Sequence, residues 1–253
     1  MGSILEALSP EQQIACSTQN NILLTACPGS GKTRTLTHRL AYQVLRDPAS
    51  KKIKIAITYT NRAAEEITNR LEGMNIDQSS IWAGTIHQFC MHFIIRPYAM
   101  YSKRLCKGYR IIDDYSKKAY GREIAERLGM HLNYYDDPFQ YENVRTEYKR
   151  VLKEKKEIDF DAILLISEEL LASCAFIGSN IASVISSILV DEFQDTNELQ
   201  YSILSTIYKA NKSIILMFVG DVNQAIYSSL GGVAKGKKEL ETLYEINFDS
   251  LSL

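Results

Sequence analysis

A glycine-rich segment, residues 21–33, limits the possible folds of this chain more than any other stretch. It reads Asn-Ile-Leu-Leu-Thr-Ala-Cys-Pro-Gly-Ser-Gly-Lys-Thr, so an apolar run leads into a tight turn, and leucines at helical spacing follow. Gly29 and Gly31 let consecutive backbone N–H groups point inward, and Lys32 adds a positive charge at a helix N-terminus. The pattern predicts a strand, a loop and a helix that hold a polyphosphate, with the Thr33 hydroxyl placed to ligate the accompanying Mg²⁺.

A loop of this kind can also be an ordinary connection between two elements. Phosphate binding requires an apolar strand before the loop and an amphipathic helix after it, and this chain has both. Ala26 stands where the usual pattern begins with glycine, and we expect a small residue to suffice there. We therefore expect a nucleotide site, although the loop alone does not show which kind of NTPase it serves.

Composition limits the class of protein that carries this site. The 253 residues, 45% of them hydrophobic, suffice for one large domain or for one domain with a smaller insertion. No run of about 18 apolar residues and no signal-peptide pattern occur, so we expect a soluble, cytoplasmic protein without membrane contact. Five cysteines, none spaced Cys-x-x-Cys, argue against a disulfide framework and a structural zinc site. A net charge of −1 means that any nucleic-acid surface must be local.

A second motif is acidic. Asp191-Glu192-Phe193-Gln194-Asp195-Thr196-Asn197 follows the apolar run 187–190. An aspartate at the end of a buried strand can hold Mg²⁺ through water, and the adjacent Glu192 is placed to polarise an attacking water. Buried carboxylates without partners cost several kcal/mol, on the order of the penalty for a buried ion, so such residues indicate a function. Together with the loop, the motif predicts a hydrolytic site.

Three more predicted strands end in polar clusters, where open parallel sheets place their ligand sites. They are the runs 53–58, 81–83 and 213–219, and the clusters contain Tyr59, Asn61, Thr85, His87, Gln224 and Tyr227. Gln224 is placed to read a γ-phosphate and Tyr227 to contact a second ligand. Asn61 can instead be a helix cap, and a lone histidine such as His87 is more often structural.

Two regions lie outside the predicted strands and the loops that follow them. In the first, a helix restarts at a Ser9 cap with Pro10, and Gln12 can offer a donor and an acceptor to an adenine edge or be a solvated helix residue. The second, residues 97–158, holds nine of the fifteen tyrosines and reads as a separate helical lobe with a net charge of +4. Its basic run at 149–156 predicts an amphipathic helix whose charged face is solvated, although tyrosines and positive charge also suit a nucleic-acid strand.

These blocks, in this order, resemble the motifs of the first motor domain of UvrD/Rep/PcrA-type superfamily 1 DNA helicases. The matching blocks are Leu8 to Gln13, Ala26 to Thr33, Ile57 to Ala64, Gly84 to Cys90, Asp191 to Asn197 and Gly220 to Tyr227. The resemblance implies an α/β, RecA-like P-loop NTPase fold with a mainly parallel sheet covered by helices on both faces. It also implies that residues 1–96 and 159–253 form this domain and that 97–158 form an inserted all-α subdomain, with Asp159-Phe160-Asp161 at the return.

The resemblance further implies ATP and Mg²⁺ as cofactors. Gln12 would select adenine, Asp191 would hold the metal with Thr33, Glu192 would be the general base, and Gln224 would couple the γ-phosphate to motion. The implied nucleotide-binding residues are Gln12, Ala26, Cys27, Pro28, Gly29, Ser30, Gly31, Lys32, Thr33 and Arg34, and the implied catalytic residues are Lys32, Glu192 and Gln224. Tyr59, Asn61, Thr85, His87 and Tyr227 would face single-stranded DNA.

The chain departs from the family pattern in two places. Ser228-Ser229-Leu230-Gly231-Gly232 stands where the family has Gly-Phe/Trp-Arg-Gly-Ala, so Ser229 and Leu230 replace the aromatic residue that stacks on a base and the arginine that follows it. The sequence also stops before the expected Asn-Tyr-Arg block, so we expect the second RecA-like domain, with its arginine fingers, to be absent from these residues.

We therefore expect the ATP-binding motor domain of a 3′–5′ DNA helicase or translocase that acts on single-stranded DNA or a junction, with a nuclease or a repair protein as a further partner. Alone, it would turn over ATP slowly or not at all. The alternative is a nucleotide-dependent DNA-binding or regulatory module that never unwinds DNA, for example the partner of a nuclease in a defence system. Ser229 and Leu230 favour this alternative.

Overall fold

A computed structural model describes residues 2–27, 29–133, 135–221 and 235–253. Its main feature is a six-stranded sheet in the order β3-β2-β6-β7-β1-β8, in which every neighbouring pair is parallel. The strands are β1 Ile22–Thr25, β2 Ile53–Thr58, β3 Ile81–Thr85, β6 Ile185–Asp191, β7 Ile215–Gly220 and β8 Asp249–Ser252, and a small parallel pair is formed by β4 Arg110–Ile111 and β5 Glu157–Ile158. The predicted α/β class with a mainly parallel sheet is confirmed.

The α-helices precede β1 and connect the strands along the chain. They are α1 Gly2–Leu5, α2 Pro10–Ser17, α3 Lys32–Arg46, α4 Asn61–Gly73, α5 Ile86–Phe89, α6 Arg96–Tyr98, α7 Asp114–Arg127, α8 Glu142–Lys155, α9 Phe160–Ser173, α10 Ala175–Val184, α11 Glu198–Ala210 and α12 Lys237–Tyr244. A π-helical turn covers Cys90–Ile95, and short 3₁₀ turns cover Ala99–Tyr101, Pro138–Gln140 and Phe193–Asp195. Within the described residues, no helix is long and apolar enough to cross a membrane.

The chain divides into two compact units, residues 1–89 with 174–253 and residues 90–173. The first unit contains the six-stranded sheet, and alternate residues of β7 show how its two faces are covered. Met217 and Val219 belong to a core that includes α3 and α4 side chains, whereas the Phe218 ring contacts the rings of Tyr201 in α11 and Tyr244 in α12. Helices therefore cover both faces of this strand, as its continuous apolar sequence requires.

The second unit has a core of its own, formed by apolar residues of α7 and α8 such as Ile124 and Val144. Asp159 is buried there and caps α9, because its Oδ1 accepts a hydrogen bond from the Ala162 N–H at 2.9 Å and its Oδ2 accepts one from the Tyr148 hydroxyl at 2.9 Å. The Asp159-Phe160-Asp161 feature thus begins a helix. The division at residues 97 and 158 stays a prediction.

Two elements have no prediction in the sequence analysis, and one local expectation is corrected. The elements without a prediction are helix α10 at Ala175–Val184 and strand β8 at Asp249–Ser252. Thr60, rather than Asn61, caps α4, since its side chain accepts a hydrogen bond from the Ala63 N–H at 3.2 Å. All five cysteines are free thiols.

Candidate functional site

The glycine-rich loop lies between β1 and α3 with the backbone that the sequence predicts. Gly29 and Gly31 have φ angles of +81° and +91°, in the left-handed region that favours glycine. A Cβ atom at Gly31 would also lie 2.9 Å from Gln12 Nε2, so this position has no room for a side chain. Because Gly31 precedes α3 and caps it with no side chain, the first N–H groups of this 15-residue helix are donors available to an anion.

Lys32 begins α3 and is buried, and its ammonium group forms an ion pair with Glu192. The distance from Lys32 Nζ to Glu192 Oε2 is 2.8 Å. Gln194 Nε2 donates a second hydrogen bond to the same carboxylate oxygen, at 2.7 Å. Glu192 is one of four non-glycine residues of the described chain with a positive φ, at +50°, a conformation that costs about 1 to 3 kcal/mol and is concentrated at functional sites.

Asp191 ends β6 and lies beside the hydroxyl of Thr33. The Thr33 hydroxyl donates to Asp191 Oδ2 at 3.0 Å, and the Glu192 N–H donates to Asp191 Oδ1 at 3.0 Å. Burial, together with the neighbouring charge of Glu192, raises the pKa of Asp191 to about 6. A carboxylate that is so poorly solvated gains much from a nearby cation.

The motif resemblance implies a bound nucleotide with Mg²⁺, and the residues present fit both groups. Two left-handed glycines, a helix N-terminus and a buried lysine form a cradle for phosphate. A hydroxyl oxygen and a carboxylate oxygen that converge within 3.0 Å are the hard oxygen ligands that Mg²⁺ prefers. Thr33 and Asp191 would therefore hold the metal, and the loop with Lys32 would hold the phosphates.

Gln12 is buried, and both ends of its amide are hydrogen-bonded, so it is no solvated helix residue. Its Oε1 accepts from the Ser9 N–H at 3.1 Å in a capping box of α2, and its Nε2 donates to the Ser30 carbonyl at 3.1 Å. The amide thereby ties α2 to the phosphate loop. Arg34 is exposed and donates from Nη2 to the Ala7 carbonyl at 2.9 Å.

Three of the residues expected to contact DNA lie together near the acidic motif. A cavity of about 70 Å³ is lined by Tyr59, Thr85 and His87 as well as by Asp191 and Glu192. It opens at the C-terminal ends of β2, β3 and β6, as parallel-strand geometry predicts. The cavity places these three side chains beside the expected metal ligand Asp191 and the expected general base Glu192.

The other expected positions are distributed differently. Asn61 is exposed on the first turn of α4 and lines a separate open groove with residues such as Glu65 and Gln88. Pro28, Gln224 and Tyr227, like Ser229 and Leu230, lie outside the described residues. Ala26 is buried, and Cys27, on the exposed side of the loop, accepts from Ser30 N at 3.2 Å and Oγ at 2.8 Å.

The basic helix of the second unit is amphipathic as predicted, with Val144 and Tyr148 buried. Arg150 pairs on the helix itself with both Glu147 and Glu154 at 2.5 Å. The Lys155 ammonium lies 4.0 Å from the centroid of the Tyr120 ring in α7. The basic face is exposed, as predicted, and its use as a nucleic-acid surface stays a prediction.

Two buried residues had no predicted role. Gln194 is a member of the acidic motif, but the motif alone gives no partner for its amide. Arg39 in α3 is fully buried, and its guanidinium donates to the carbonyls of Ala15 at the end of α2 and of Asn20. Burial lowers the pKa of Arg39 to about 10. In the sequence, the one sign that Arg39 is buried is its position among leucines at helical spacing. An exposed arginine fits the same spacing.

Comparison with known proteins gives one family match. The model of a family described as an AAA domain matches residues 11–230. Among curated proteins, the chain is 28% identical over 245 residues to the ATP-dependent DNA helicase PcrA of Leuconostoc citreum, which covers 85% of this chain and 32% of that protein. It is 28% identical over 257 residues to DNA helicase II of Escherichia coli, which covers 90% of this chain and 35% of that protein.

These matches confirm the resemblance to UvrD/PcrA-type helicases that was drawn from the motifs. The chain spans about a third of the length of the curated relatives that it matches. Among solved structures, the Pif1 helicase from Candida albicans is similar at a TM-score of 0.45 and 13% identity, over 97% of this chain and 39% of that chain. A similarity of this size carries no argument about function.

Proposed function

We propose a function from one premise: the chain belongs to the AAA domain family, whose model matches residues 11–230. The function is that of the ATP-binding motor domain of a DNA helicase or translocase. One observation supports it most. The loop residues Lys32 and Thr33 meet Glu192 and Asp191 at 2.8 Å and 3.0 Å, although more than 150 residues separate them in the sequence.

In the proposed reaction, each of these residues has a distinct task. The backbone N–H groups after Gly31 and the Lys32 ammonium bind the phosphates, and Thr33 and Asp191 orient the metal. Bound Mg²⁺ would neutralise charge on the β- and γ-phosphate oxygens. Glu192, once released by Lys32, accepts the proton of the attacking water. Gln12 holds α2 against the loop, and its remaining donor and acceptor capacity serves adenine.

The proposed DNA surface lies beside this site. Tyr59 has 60% of its surface exposed and can stack on a base, while Thr85 and His87 supply polar contacts. Single-stranded DNA is the proposed ligand, and by similarity we propose 3′–5′ movement in the cytoplasm. The arginine finger would come from a second RecA-like domain outside residues 1–253. Loss of such a finger can lower the rate by about 10³ to 10⁵, so these residues alone should turn over slowly.

Nucleotide binding gives the first test. Residues 1–253 should bind a fluorescent ATP analogue in the presence of Mg²⁺, and Lys32→Ala should abolish this binding. A Lys32→Ala protein that binds ATP as tightly as the wild type would refute the assignment of the loop. Arg46→Ala, which changes an exposed arginine in the last turn of the same helix, tests whether loss of any positive charge has the same effect.

The rival function is a nucleotide-dependent DNA-binding or regulatory module that does not unwind DNA. Ser229 and Leu230, in place of the family's aromatic residue and arginine, favour it. Strand displacement by the full-length gene product separates the two functions, with Glu192→Gln as the control. Unwinding that disappears in Glu192→Gln would exclude the rival, and robust ATP hydrolysis without strand separation would exclude the helicase.

A further inference from the structure

Gln194 is bonded at both ends of its side-chain amide. Its Nε2 donates to Glu192 Oε2 at 2.7 Å, and its Oε1 accepts from the Asp221 N–H at 3.1 Å. The residue is 3% exposed, so these partners replace water. Glu192 follows β6 and Asp221 follows β7, and the two strands are neighbours in the sheet. One buried amide therefore joins the ends of two adjacent strands.

The fit around this amide is tight. A Cβ atom at Gly220 would lie 2.2 Å from Gln194 Oε1 and 2.6 Å from the Phe193 ring. These distances are far below any real Cβ contact, so only glycine lets β7 approach Gln194 this closely. The bond from Asp221 to Gln194 is thus built into the backbone path of β7.

The other partner of Glu192 is Lys32, which leaves Glu192 for a phosphate in the proposed function. Glu192 Oε2 accepts from both Lys32 and Gln194, at 2.8 Å and 2.7 Å. When Lys32 turns to a phosphate, the carboxylate loses the stronger of these two partners. Gln194 does not lie on the phosphate loop, so its bond to Glu192 can persist.

We propose that Gln194 is a positioning residue that holds the Glu192 carboxylate and ties it to the end of β7. This inference rests on the proposed function, because it assigns Gln194 to the same hydrolytic site. Glu192 accepts hydrogen bonds from both Lys32 and Gln194. When Lys32 binds a phosphate, Gln194 is the donor that keeps the carboxylate in place, and the bond from the Asp221 N–H to Gln194 Oε1 ties this arrangement to the end of β7.

Two substitutions distinguish the hydrogen bond from Gln194 to Glu192 from the hydrogen bond that Gln194 accepts from Asp221. Gln194→Met keeps the length of the side chain and removes both of them. Gln194→Glu keeps an acceptor for the Asp221 N–H, but it replaces the donor to Glu192 with a carboxylate that repels it. Gln200→Met is the matched control, since Gln200 is a glutamine whose amide caps α11.

The first measurement needs no nucleotide. NMR-detected hydrogen exchange of the Asp221 amide in residues 1–253 should be at least tenfold faster in Gln194→Met than in the wild type. The rate in Gln194→Glu and in Gln200→Met should stay within about threefold of the wild-type rate. Unchanged exchange in Gln194→Met would overturn the tie to β7.

The second measurement follows ATP in the full-length gene product. Gln194→Met and Gln194→Glu should lower kcat about tenfold or more, the factor for one hydrogen bond to a charged group. The KM of Gln194→Met should stay within about twofold, since a positioning residue for the base does not bind substrate. Wild-type kcat in both variants, with an inactive Glu192→Gln, would overturn the inference. Full activity of Glu192→Gln would instead overturn the proposed function and, with it, the role of Gln194 toward the base.

Discussion

Replacing Asp191 by asparagine should stabilise the metal-free protein near neutral pH. Asp191 is 5% exposed, and its pKa is raised from 3.8 to about 6. Between these two values the folded protein keeps a proton that the unfolded chain has released, so stability falls as the pH rises through this window. Above about pH 6 the ionised carboxylate costs roughly 3 kcal/mol, from about two pKa units at about 1.4 kcal/mol each.

Asparagine suits the position because it has the same shape and can use the same partners. Its Oδ1 can accept from the Glu192 N–H, as Asp191 Oδ1 does at 3.0 Å, and its Nδ2 can donate to the Thr33 hydroxyl oxygen. We therefore expect Asp191→Asn to raise the free energy of unfolding at pH 7.5 by about 2 to 3 kcal/mol. The gain should shrink as the pH falls from 6 to 4 and vanish below that range.

Urea denaturation in EDTA, followed by the fluorescence of Trp82, measures this gain, since Trp82 is the single tryptophan and lies in β3. Asp77→Asn is the control. Asp77 is exposed, and the Ser79 N–H lowers its pKa, so removal of its charge should give no gain. The reasoning is refuted if Asp191→Asn fails to stabilise at pH 7.5, or if its gain is as large at pH 4 as at pH 7.5.

Two further substitutions test the packing. Gly220→Ala should destabilise the folded protein by about 1 to 3 kcal/mol, because the added Cβ atom would overlap Gln194 Oε1. The control is Gly73→Ala, which should be neutral or stabilising because an added Cβ atom there has nothing within 4 Å. Equal effects of the two substitutions in urea denaturation would contradict this prediction. Tyr148→Phe should destabilise the second unit by about 1 to 3 kcal/mol, because it leaves the buried Asp159 without its hydroxyl donor. Resistance to limited proteolysis equal to that of the wild type would contradict the second prediction.

The strand–loop–helix of the nucleotide site could be predicted from sequence because each part has its own local signal. Glycines mark the left-handed turn, and the spacing of leucines marks α3. The meeting of this loop with Asp191 was also predictable in outline, since the C-terminal ends of parallel strands lie at one edge of a sheet. The register that pairs Asp191 with Val219, and Thr25 with Gly220, then brings the two motifs together.

Elements that depend on distant partners were missed. The sequence of β8, Asp-Ser-Leu-Ser, has little strand propensity, and the strand exists because it pairs with β1 at the edge of the sheet. Helix α10 contains glycine, serine and asparagine, which weaken the local helical signal, and it is held by packing against α11. In both cases a tertiary contact supplies what the local sequence lacks.

Hydrogen-bond partners are harder still to predict, because one polar group can serve several of them. Glu192 was expected to act on water and Lys32 on phosphate, and the structure pairs the two with each other at 2.8 Å. In the proposed function, a phosphate competes with Glu192 for Lys32, so nucleotide binding would release the proposed base. Spacing along the chain identifies the residues of such a site. Their exchange of partners depends on distances between β6, β7 and the loop that only the folded chain defines.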